Sequence, residues 1–316
     1  MNRTNFMFKL LAFFAFSLAL TSAAHALPRT YVSMSGNDAN TCAFNAPCRT
    51  FAGALPKTDA SGAITALETG SYGIVTINKA LSIIAAPGVH AEVAPGGNSS
   101  AITVQLGGTT GVVVLRNLYL VGASGLAKGV DFKSGGSLHV ENCSISGFDR
   151  GVNVTAAPSL TYVKDTTIRN VHDGVYLVPT AANTALVAQA FIEHCRFENY
   201  FQGAVAAGRY TTMTVRDSSF TGRSKDNTIT YGGIIAAPTS VGTTHIMVEN
   251  CLLSNNYLAI GTKTDGVAFI SISQNVLYHN QIGVFTCCLS KMITFGNNRF
   301  EDNNDDGSFN LSTPLK

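Results

Sequence analysis

The 316-residue chain contains no tryptophan, and only 13% of its residues are charged. Its formal net charge is +2, and without Arg3 and Lys9 the basic and acidic residues balance. Such a chain lacks the positive field that nucleic acid or an anionic membrane surface would need, so these partners are not expected. Glycine, with 30 residues, and β-branched residues are abundant, which favours strands over helices.

The first 26 residues have the pattern of a cleavable secretory signal. Two basic residues near the start precede an apolar run over 10–20, and residues 24–26 read Ala-His-Ala. The run is too short to span about 30 Å of hydrocarbon comfortably, and no later run has spanning length. We expect cleavage after residue 26, no integral membrane segment in the mature chain, and a secreted or periplasmic location.

Seven cysteines in an exported chain need an explanation. Cys42 and Cys48 lie in one short loop, and we predict that they form a disulfide. The vicinal pair at 287–288 could be unpaired, mutually bonded or metal-reactive, although no nearby histidine or carboxylate spacing resembles a metal site. Three others recur at one repeat position and are predicted to be small buried core residues: Cys143, Cys195 and Cys251.

Eight segments share one pattern, in which alternating apolar residues lead to a polar turn residue and another apolar residue follows three positions later. The turn residues are Asn117, Asn142, Asp165, His194, Asp217, Asn250, Gln274 and Asn297. The alternation predicts strands with one buried face. A second strand usually begins nine residues later, as at Gly151 and Gly174. Rungs of about 23 residues cannot bury their own apolar faces, so they are expected to stack into a solenoid.

Two columns of this repeat are interpreted as architecture. The turn residues are expected to form a ladder inside one corner, because stacked amides bond one another and asparagine tolerates the left-handed bend. The residue before each turn residue alternates in sign over six rungs, which would specify register because like charges on neighbouring rungs repel. This charge column consists of Arg116, Glu141, Lys164, Glu193, Arg216 and Glu249.

The N-terminal part of the mature chain is predicted to close one end of the solenoid. Residues 49–55 resemble a short helix that would cover the open end of the core. We therefore divide the chain into a signal peptide at 1–26, a cap with the cysteine loop at 27–63, and the solenoid at 64–316. Less regular early strands are expected at 64–67, 75–77, 81–85 and 101–105.

The repeat Val-x-Asn-x-x-Ile, followed by Gly-Val-x-Val, resembles the repeats of the pectin-lyase-like superfamily. The segment 31–38, together with Pro-Cys-Arg-Thr at 47–50, is similar to the N-termini of secreted bacterial β-helix proteins of unassigned activity. The resemblance covers about residues 30–311. It implies an all-β, single-stranded right-handed parallel β-helix, but this fold hosts lyases, glycosidases, esterases and adhesins, so it specifies little chemistry.

Known catalytic motifs of these relatives are incomplete in this chain. Polygalacturonase-like enzymes carry Gly-His-Gly and Arg-Ile-Lys, which are absent, and the only Asp-Asp pair is at 305–306, in the last rung. Calcium-dependent enzymes resembling pectate lyase have no compact motif, so that class stays open. In such relatives the substrate lies on the sheet that begins at the mid-rung glycine. Here that face is expected to be polar in the early rungs and apolar later, at Val205, Ile235 and Phe285.

The resemblance implies roles for the polar residues of that face if the protein is a lyase. The carboxylates that would hold a cation such as Ca²⁺ are Asp131 and Asp173. The candidate bases that would remove the proton alpha to a uronate carboxyl are Lys133 and Arg150. The side chains that would bind sugar are Asn153, His172 and Tyr176. Ordinary surface ion pairs are an alternative explanation of the same residues.

The sequence thus favours an exported, monomeric β-helix protein that binds or cleaves a polysaccharide or cell-surface glycan. A uronate-type lyase is the leading enzymatic interpretation. The alternative is a non-catalytic, adhesin-like or structural surface protein, which the missing catalytic motifs and the neutral exterior rich in Thr, Ser and Asn favour.

Overall fold

The computed structural model describes residues 26–123, 125–179, 187–222, 232–239, 242–263 and 266–312. Only the last residue of the predicted signal peptide lies within these ranges. Across them the chain is built from strands, with one short helix, α1 (Phe51–Ala54), that continues into a 3₁₀ turn (Leu55–Lys57). No helix in the described part of the chain is long and apolar enough to cross a membrane.

The strands follow one another in a repeating order along the chain. They are β1 (Leu27–Val32), β2 (Thr58–Ala66), β3 (Gly70–Ser71), β4 (Val75–Ile77), β5 (Leu81–Ala85), β6 (Ala91–Val93), β7 (Ile102–Gln105), β8 (Val112–Arg116), β9 (Leu118–Val121), β10 (Lys128–Ser134), β11 (Ser137–Glu141), β12 (Ser144–Ser146), β13 (Arg150–Val154), β14 (Ser159–Lys164), β15 (Thr167–Leu177), β16 (Ala188–Glu193), β17 (Arg196–Gly208), β18 (Thr211–Arg216), β19 (Ser219–Thr221), β20 (Gly232–Pro238), β21 (Thr243–Glu249), β22 (Leu252–Ser254), β23 (Leu258–Thr262), β24 (Val267–Ser273), β25 (Val276–Tyr278), β26 (Ile282–Phe285), β27 (Lys291–Thr294), β28 (Arg299–Glu301) and β29 (Leu311–Ser312).

The strands form three parallel sheets around one core, which confirms the predicted right-handed parallel β-helix. Within the described residues, sheet 1 has 12 strands: β1, β2, β5, β8, β11, β14, β16, β18, β21, β24, β27 and β29. Sheet 2 contains β3, β6, β9, β12, the first part of β15 and of β17, β19, β22, β25 and β28. Sheet 3 contains β4, β7, β10, β13, the second part of β15 and of β17, β20, β23 and β26. Because β15 and β17 run through the corner, sheets 2 and 3 are hydrogen-bonded into one.

Inward side chains of successive rungs stack into one continuous apolar core. Val140 lies between Leu115 of the preceding rung and Val163 of the following one, and all three are buried. Strands in a sheet lie about 4.8 Å apart, so each buried side chain contacts its equivalents above and below. Burial of this column, repeated from rung to rung, stabilises the solenoid in a way that one isolated rung could not achieve.

Sheet 3 begins at a column of glycines that leaves no room for side chains. A Cβ placed on Gly151 would lie 2.6 Å from the carbonyl oxygen of Gly174, and one on Gly203 would lie 2.5 Å from that of Gly233. Real Cβ contacts are never this short, so these positions require glycine for the close approach of neighbouring backbones.

The turn residues form a ladder, but on the outside of the corner, so the expected inward orientation was wrong. Asn117 and Asn142 have φ values of 60° and 49°, and Asn142 Nδ2 donates to Asn117 Oδ1 at 2.9 Å. A left-handed residue at the corner turns its own side chain toward solvent and sends the next one into the core. That next residue is Cys143, Cys195 or Cys251 on three rungs, and burial raises the pKa of each thiol to about 12.

The short helix predicted near the N-terminus is present, and its role in closing the end of the core stays a prediction. Thr50 Oγ1 accepts a hydrogen bond from the Gly53 backbone N–H at 2.9 Å and caps α1. The buried ring of Phe51 packs against Tyr72, with 5.1 Å between ring centroids. The predicted disulfide between Cys42 and Cys48 is present. β1, which lies in the segment assigned to the cap, pairs with β2 as the first strand of sheet 1.

Candidate functional site

Polar side chains from three successive rungs meet on the outer face of sheet 3. The Cα register of β10, β13 and β15 places Asp131 beside Asn153 and Asn153 beside Tyr176. The same register places Lys128 beside Arg150 and Arg150 beside Asp173. Lys133 lies on β10 and His172 on β15, so the seven residues to which the resemblance gave lyase roles lie together, with Lys128 beside them. We call this set the polar patch: Lys128, Asp131, Lys133, Arg150, Asn153, His172, Asp173 and Tyr176.

Asp131 lies at the bottom of the patch and is surrounded by hydrogen-bond and ion-pair donors. It is 3% exposed. Its Oδ2 lies 3.3 Å from Lys128 Nζ and 3.6 Å from Lys133 Nζ, and its Oδ1 accepts a hydrogen bond from Asn153 Nδ2 at 2.7 Å. A buried carboxylate is tolerated only when it is paired in this way.

Asp173 is the second buried carboxylate, also 3% exposed. Its Oδ2 lies 3.3 Å from Arg150 Nε, and its Oδ1 lies 2.9 Å from His172 Nδ1. The hydrogen bond to Asp173 raises the pKa of His172, assisted by the negative charges of Asp173 and Asp149 and opposed by burial and by Arg150. His172 is therefore held beside a carboxylate that favours its protonated form.

Asn153 and Arg150 connect the two carboxylates into one network. Asn153 is fully buried; its Nδ2 donates to Asp131 and its Oδ1 accepts from Arg150 Nη1 at 2.9 Å. The guanidinium carbon of Arg150 also lies 3.9 Å from the centre of the Tyr176 ring. Burial raises the pKa of Tyr176. One face of that ring is thus covered by Arg150, in a cation–π contact.

The charges of the patch are layered. The two carboxylates are buried, whereas the side chains of Lys133 and His172 are 49% and 46% exposed and those of Lys128 and Arg150 are 29% and 28% exposed. These residues were all expected to face solvent. That expectation was wrong for Asp131, Asn153 and Asp173, because cationic side chains of the same and neighbouring rungs cover them. Solvent meets mainly cationic groups.

The donor set does not fit a calcium ion. Calcium takes six to eight oxygen ligands, whereas the oxygens of Asp131 and Asp173 already face lysine, arginine, histidine or amide nitrogens. No group of three or more His, Cys, Asp or Glu residues that could hold a metal ion occurs among the described residues. The cation-binding role of these two aspartates stays a prediction, and we derive no step through a metal.

A shallow pocket of about 340 Å³ adjoins the patch at the corner between sheets 2 and 3. It is lined in part by Asp149, His172 and Phe201, and the rings of His172 and Phe201 lie 5.0 Å apart. Two further lining residues, Asn170 and Asn199, have positive φ values and are hydrogen-bonded to each other. They belong to a second turn column, which was not predicted from the sequence because its residues change in type from rung to rung.

Among the residues that the structure describes, the later rungs of the same face carry no such polar cluster. Val205 and Ile235 were expected to face outward, and they do lie outside the main core, but they are only 2% and 1% exposed. Together with Leu258 they form a second buried apolar cluster, against which Tyr176 and Phe285 also pack. The polar patch therefore ends at Tyr176, where the apolar cluster begins.

The fold and the patch define a parallel β-solenoid with a polar, cation-presenting site on one outer face. Two overlapping stretches, 96–240 and 150–314, match the family model described as right handed beta helix region. The chain belongs to this right-handed β-helix family. A search of the curated proteins found no match.

Solved structures of similar shape include three carbohydrate-active enzymes. A pectate lyase, Pel9A, is 12% identical and has a TM-score of 0.54, with 92% of this chain and 80% of that chain covered. A rhamnogalacturonan lyase is 12% identical, with a TM-score of 0.41 and coverages of 88% and 87%. The GH136 lacto-N-biosidase from Eubacterium ramulus is 10% identical, with a TM-score of 0.49 and coverages of 90% and 67%. At this identity the likeness to the pectate lyase shows a shared fold.

Proposed function

We propose that this protein binds an acidic polysaccharide of the uronate type on the polar patch and cleaves it there by β-elimination. One observation carries the proposal: three basic side chains stand partly exposed above two buried carboxylates, and His172 adds a fourth positive charge when protonated. An anionic polymer would meet these cations without meeting the two buried carboxylates, and the partly exposed Asp149 borders the site beside Arg150. A pectate lyase shares the fold, which makes uronate polymers the first to test.

Arg150 is the group best arranged to recognise a uronate carboxylate. Its guanidinium is fixed by Asn153, Asp173 and the Tyr176 ring, so little side-chain entropy is lost when it binds. A planar guanidinium can donate two parallel hydrogen bonds to a carboxylate. The three rungs of the patch extend over about 10 Å, long enough to contact more than one sugar unit of a polymer lying along the solenoid axis.

Lys133 is the better placed of the two predicted bases. Arg150 is engaged with four neighbours, which are Asp149, Asn153, Asp173 and the Tyr176 ring. Lys133 is half-exposed and forms an ion pair with Asp131 at 3.6 Å. In the proposed step Lys133, in its neutral form, removes the proton on the carbon alpha to the uronate carboxyl. The electron pair forms a C=C bond, the bond to the glycosidic oxygen breaks, and that oxygen takes a proton from water.

Binding and cleavage can be tested separately. The purified chain would be titrated with polygalacturonate and with neutral dextran, and the ultraviolet absorbance of a conjugated C=C bond would be followed with and without Ca²⁺. We expect binding of polygalacturonate alone and formation of unsaturated product. Lys133→Met should retain binding and lose cleavage, whereas Lys291→Met, which changes an exposed lysine on sheet 1, should retain both.

Each outcome decides one part of the proposal. Binding by the wild type without cleavage would remove the elimination step and favour the non-catalytic, adhesin-like alternative. Equal binding of dextran, or no binding of polygalacturonate, would refute the uronate site. Unchanged cleavage by Lys133→Met would remove this lysine as the base.

We also propose that the protein is exported to the periplasm or the medium. The disulfide between Cys42 and Cys48 supports this, because such bonds persist in oxidising compartments. Mass spectrometry of the protein from fractionated cells should find an N-terminus at Leu27. An uncleaved chain in the cytoplasm would contradict the proposal.

A further inference from the structure

The outer face of sheet 1 carries an apolar row, in contrast to the polar patch on sheet 3. One residue from each of β8, β11, β14, β16, β18 and β21 lies in this row, and adjacent members are Cα partners. The His139 and Tyr162 ring centroids lie 4.6 Å apart, and those of Tyr162 and Phe191 lie 5.0 Å apart, all stacked. We call the row the apolar stripe: Val114, His139, Tyr162, Phe191, Thr214 and Met247.

The stripe is partly open to solvent. Met247 is 44% exposed, and Leu160 and Val112, which lie beside the stripe, are 36% and 49% exposed. A groove of about 440 Å³ lies over its C-terminal part, lined by Thr212, Thr214, His245, Met247, Phe269 and Ser271. Contiguous exposed apolar surface of this kind marks interaction sites more often than isolated exposed residues do.

The charge column runs beside the stripe, two residues further along the same strands. Arg116 and Glu141 form an ion pair at 2.6 Å, and so do Arg216 and Glu193, as the alternation predicted. Within the described part of the chain, Lys164 takes part in no ion pair, and neither does Glu249. The signs alternate strictly over six rungs, beginning with a positive charge and ending with a negative one. A second copy of the column that runs in the opposite direction would therefore place an opposite charge beside each charge of the first.

This self-complementarity specifies one partner, a second copy of the chain. Consider a two-fold axis that lies between the two faces and runs parallel to the strands. It would place the charge column of one copy opposite the charge column of the other, with the two solenoid axes antiparallel. With the axis between β14 and β16, all six charges of each copy face opposite charges: Arg116 faces Glu249, Glu141 faces Arg216, and Lys164 faces Glu193. A shift of one rung would oppose like charges, which is destabilising, and a shift of two rungs would leave two charges unopposed.

The stripe is compatible with the same register. Tyr162 of one copy then lies opposite Phe191 of the other, and Val114 lies opposite Met247. The bulky His139 lies opposite the small Thr214, which lines the groove. We propose that the protein forms an antiparallel two-fold dimer through the outer face of sheet 1, in place of the monomer expected from the sequence.

The size of the face predicts a weak dimer. Six rungs at about 4.8 Å and strands of five residues at about 3.3 Å give a footprint of roughly 480 Å² per partner. Stable complexes bury about 800 Å² per partner, so association in the micromolar range is expected. The polar patch lies on sheet 3 and stays open in this dimer, so the dimer and the proposed function can fail independently.

A charge swap tests the register directly. Reversing every sign keeps the alternation, the ion pairs within the chain and the self-complementarity, but it makes the variant repel the wild type. The substitutions are Arg116→Glu, Glu141→Arg, Lys164→Glu, Glu193→Lys, Arg216→Glu and Glu249→Lys. Sedimentation velocity should show concentration-dependent dimers for the wild type and for the variant. Energy transfer between labelled copies should show mixed pairs weaker than either homodimer, because a mixed pair opposes unlike charges only after slipping one rung, which leaves one charge of each copy unopposed and misaligns the stripe.

A single substitution provides a second test. Tyr162→Lys should weaken the wild-type dimer at least tenfold, whereas Tyr278→Lys, at a 43% exposed position on sheet 2, should not, with circular dichroism verifying the fold of both. A wild type that stays monomeric to near-millimolar concentration would overturn the proposal, as would mixed pairs as strong as homodimers. A monomer that loses polysaccharide binding on Tyr162→Lys would instead assign this face to a glycan.

Discussion

Sheets 1 and 3 are built from the same rungs, yet their outer faces differ in chemistry. On sheet 3, three rungs bury two carboxylates and an asparagine beneath cationic side chains, and the following rungs bury an apolar cluster. On sheet 1, the outer residues form a partly exposed apolar stripe beside an alternating charge column. Stacking constrains the inward residues of every rung alike, so features that recur on all rungs are structural, and features confined to a few rungs are candidates for function.

The two faces should differ most in the unfolding free energy that is lost when an apolar side chain is truncated to alanine. Ile235 on sheet 3 is 1% exposed and Met247 on sheet 1 is 44% exposed. Ile235→Ala should cost about 2–4 kcal/mol of unfolding free energy, because it leaves a cavity in the second apolar cluster. Met247→Ala should cost less than about 1 kcal/mol. Urea denaturation measures both, and equal costs would contradict the description of the sheet 3 cluster as buried.

Removal of a carboxylate should also cost more unfolding free energy on sheet 3 than on sheet 1, but this difference should be smaller than that for the apolar residues. Asp173→Ala leaves Arg150 and His172 without the buried carboxylate that both contact, so about 1–3 kcal/mol should be lost. Glu193→Ala removes an exposed pair with Arg216 and should cost about 0–1 kcal/mol. In 1 M salt, where the screening length is about 3 Å, only the cost of Glu193→Ala should vanish. Loss of both costs in salt would show that the patch is solvated.

A further difference concerns pH and rests on His172 alone. Its pKa is raised in the folded chain, chiefly by the hydrogen bond to Asp173 and further by Asp149, against the charge of Arg150. A raised folded pKa contributes stability that is full below the unfolded value of about 6.5 and is lost as pH rises through the folded value. His172→Ala should therefore destabilise the protein more at acidic than at alkaline pH. Thermal unfolding across this range measures the effect, and the same trend in an Asp173→Asn background would contradict its cause.

The repeat allowed most of the fold to be predicted, because each inward column is read eight times along the chain. The turn residues were expected inside the corner, whereas the residues that enter the core are those one position later. The alternation of apolar residues does not show that a left-handed residue reverses which side chain points inward. The patch residues were found from their shared position on the rungs. The sequence did not predict that the carboxylates lie beneath the cationic side chains, because burial of Asp131 depends on where the flexible side chains of Lys128 and Lys133 lie.

The pocket beside the patch shows a different limit. Asn170 and Asn199 belong to a second corner whose turn residues vary more than those of the first, being Gly147 on one rung and His279 on another. Such a column has no single sequence signature, so only the backbone geometry revealed it. The apolar cluster of Val205 and Ile235 was likewise unpredictable in its burial, because outward residues of a solenoid are covered or exposed according to neighbouring rungs and loops.

The binding of a uronate polymer by the polar patch can be measured directly by isothermal titration calorimetry. Oligogalacturonate would be titrated into the wild type, into Arg150→Ala, and into Arg116→Ala as a matched arginine on sheet 1, at low and at raised salt. The account predicts binding by the wild type and Arg116→Ala that weakens with salt, and at least a tenfold loss in Arg150→Ala. Equal affinity in folded Arg150→Ala, or no binding by the wild type, would contradict the assignment of the patch.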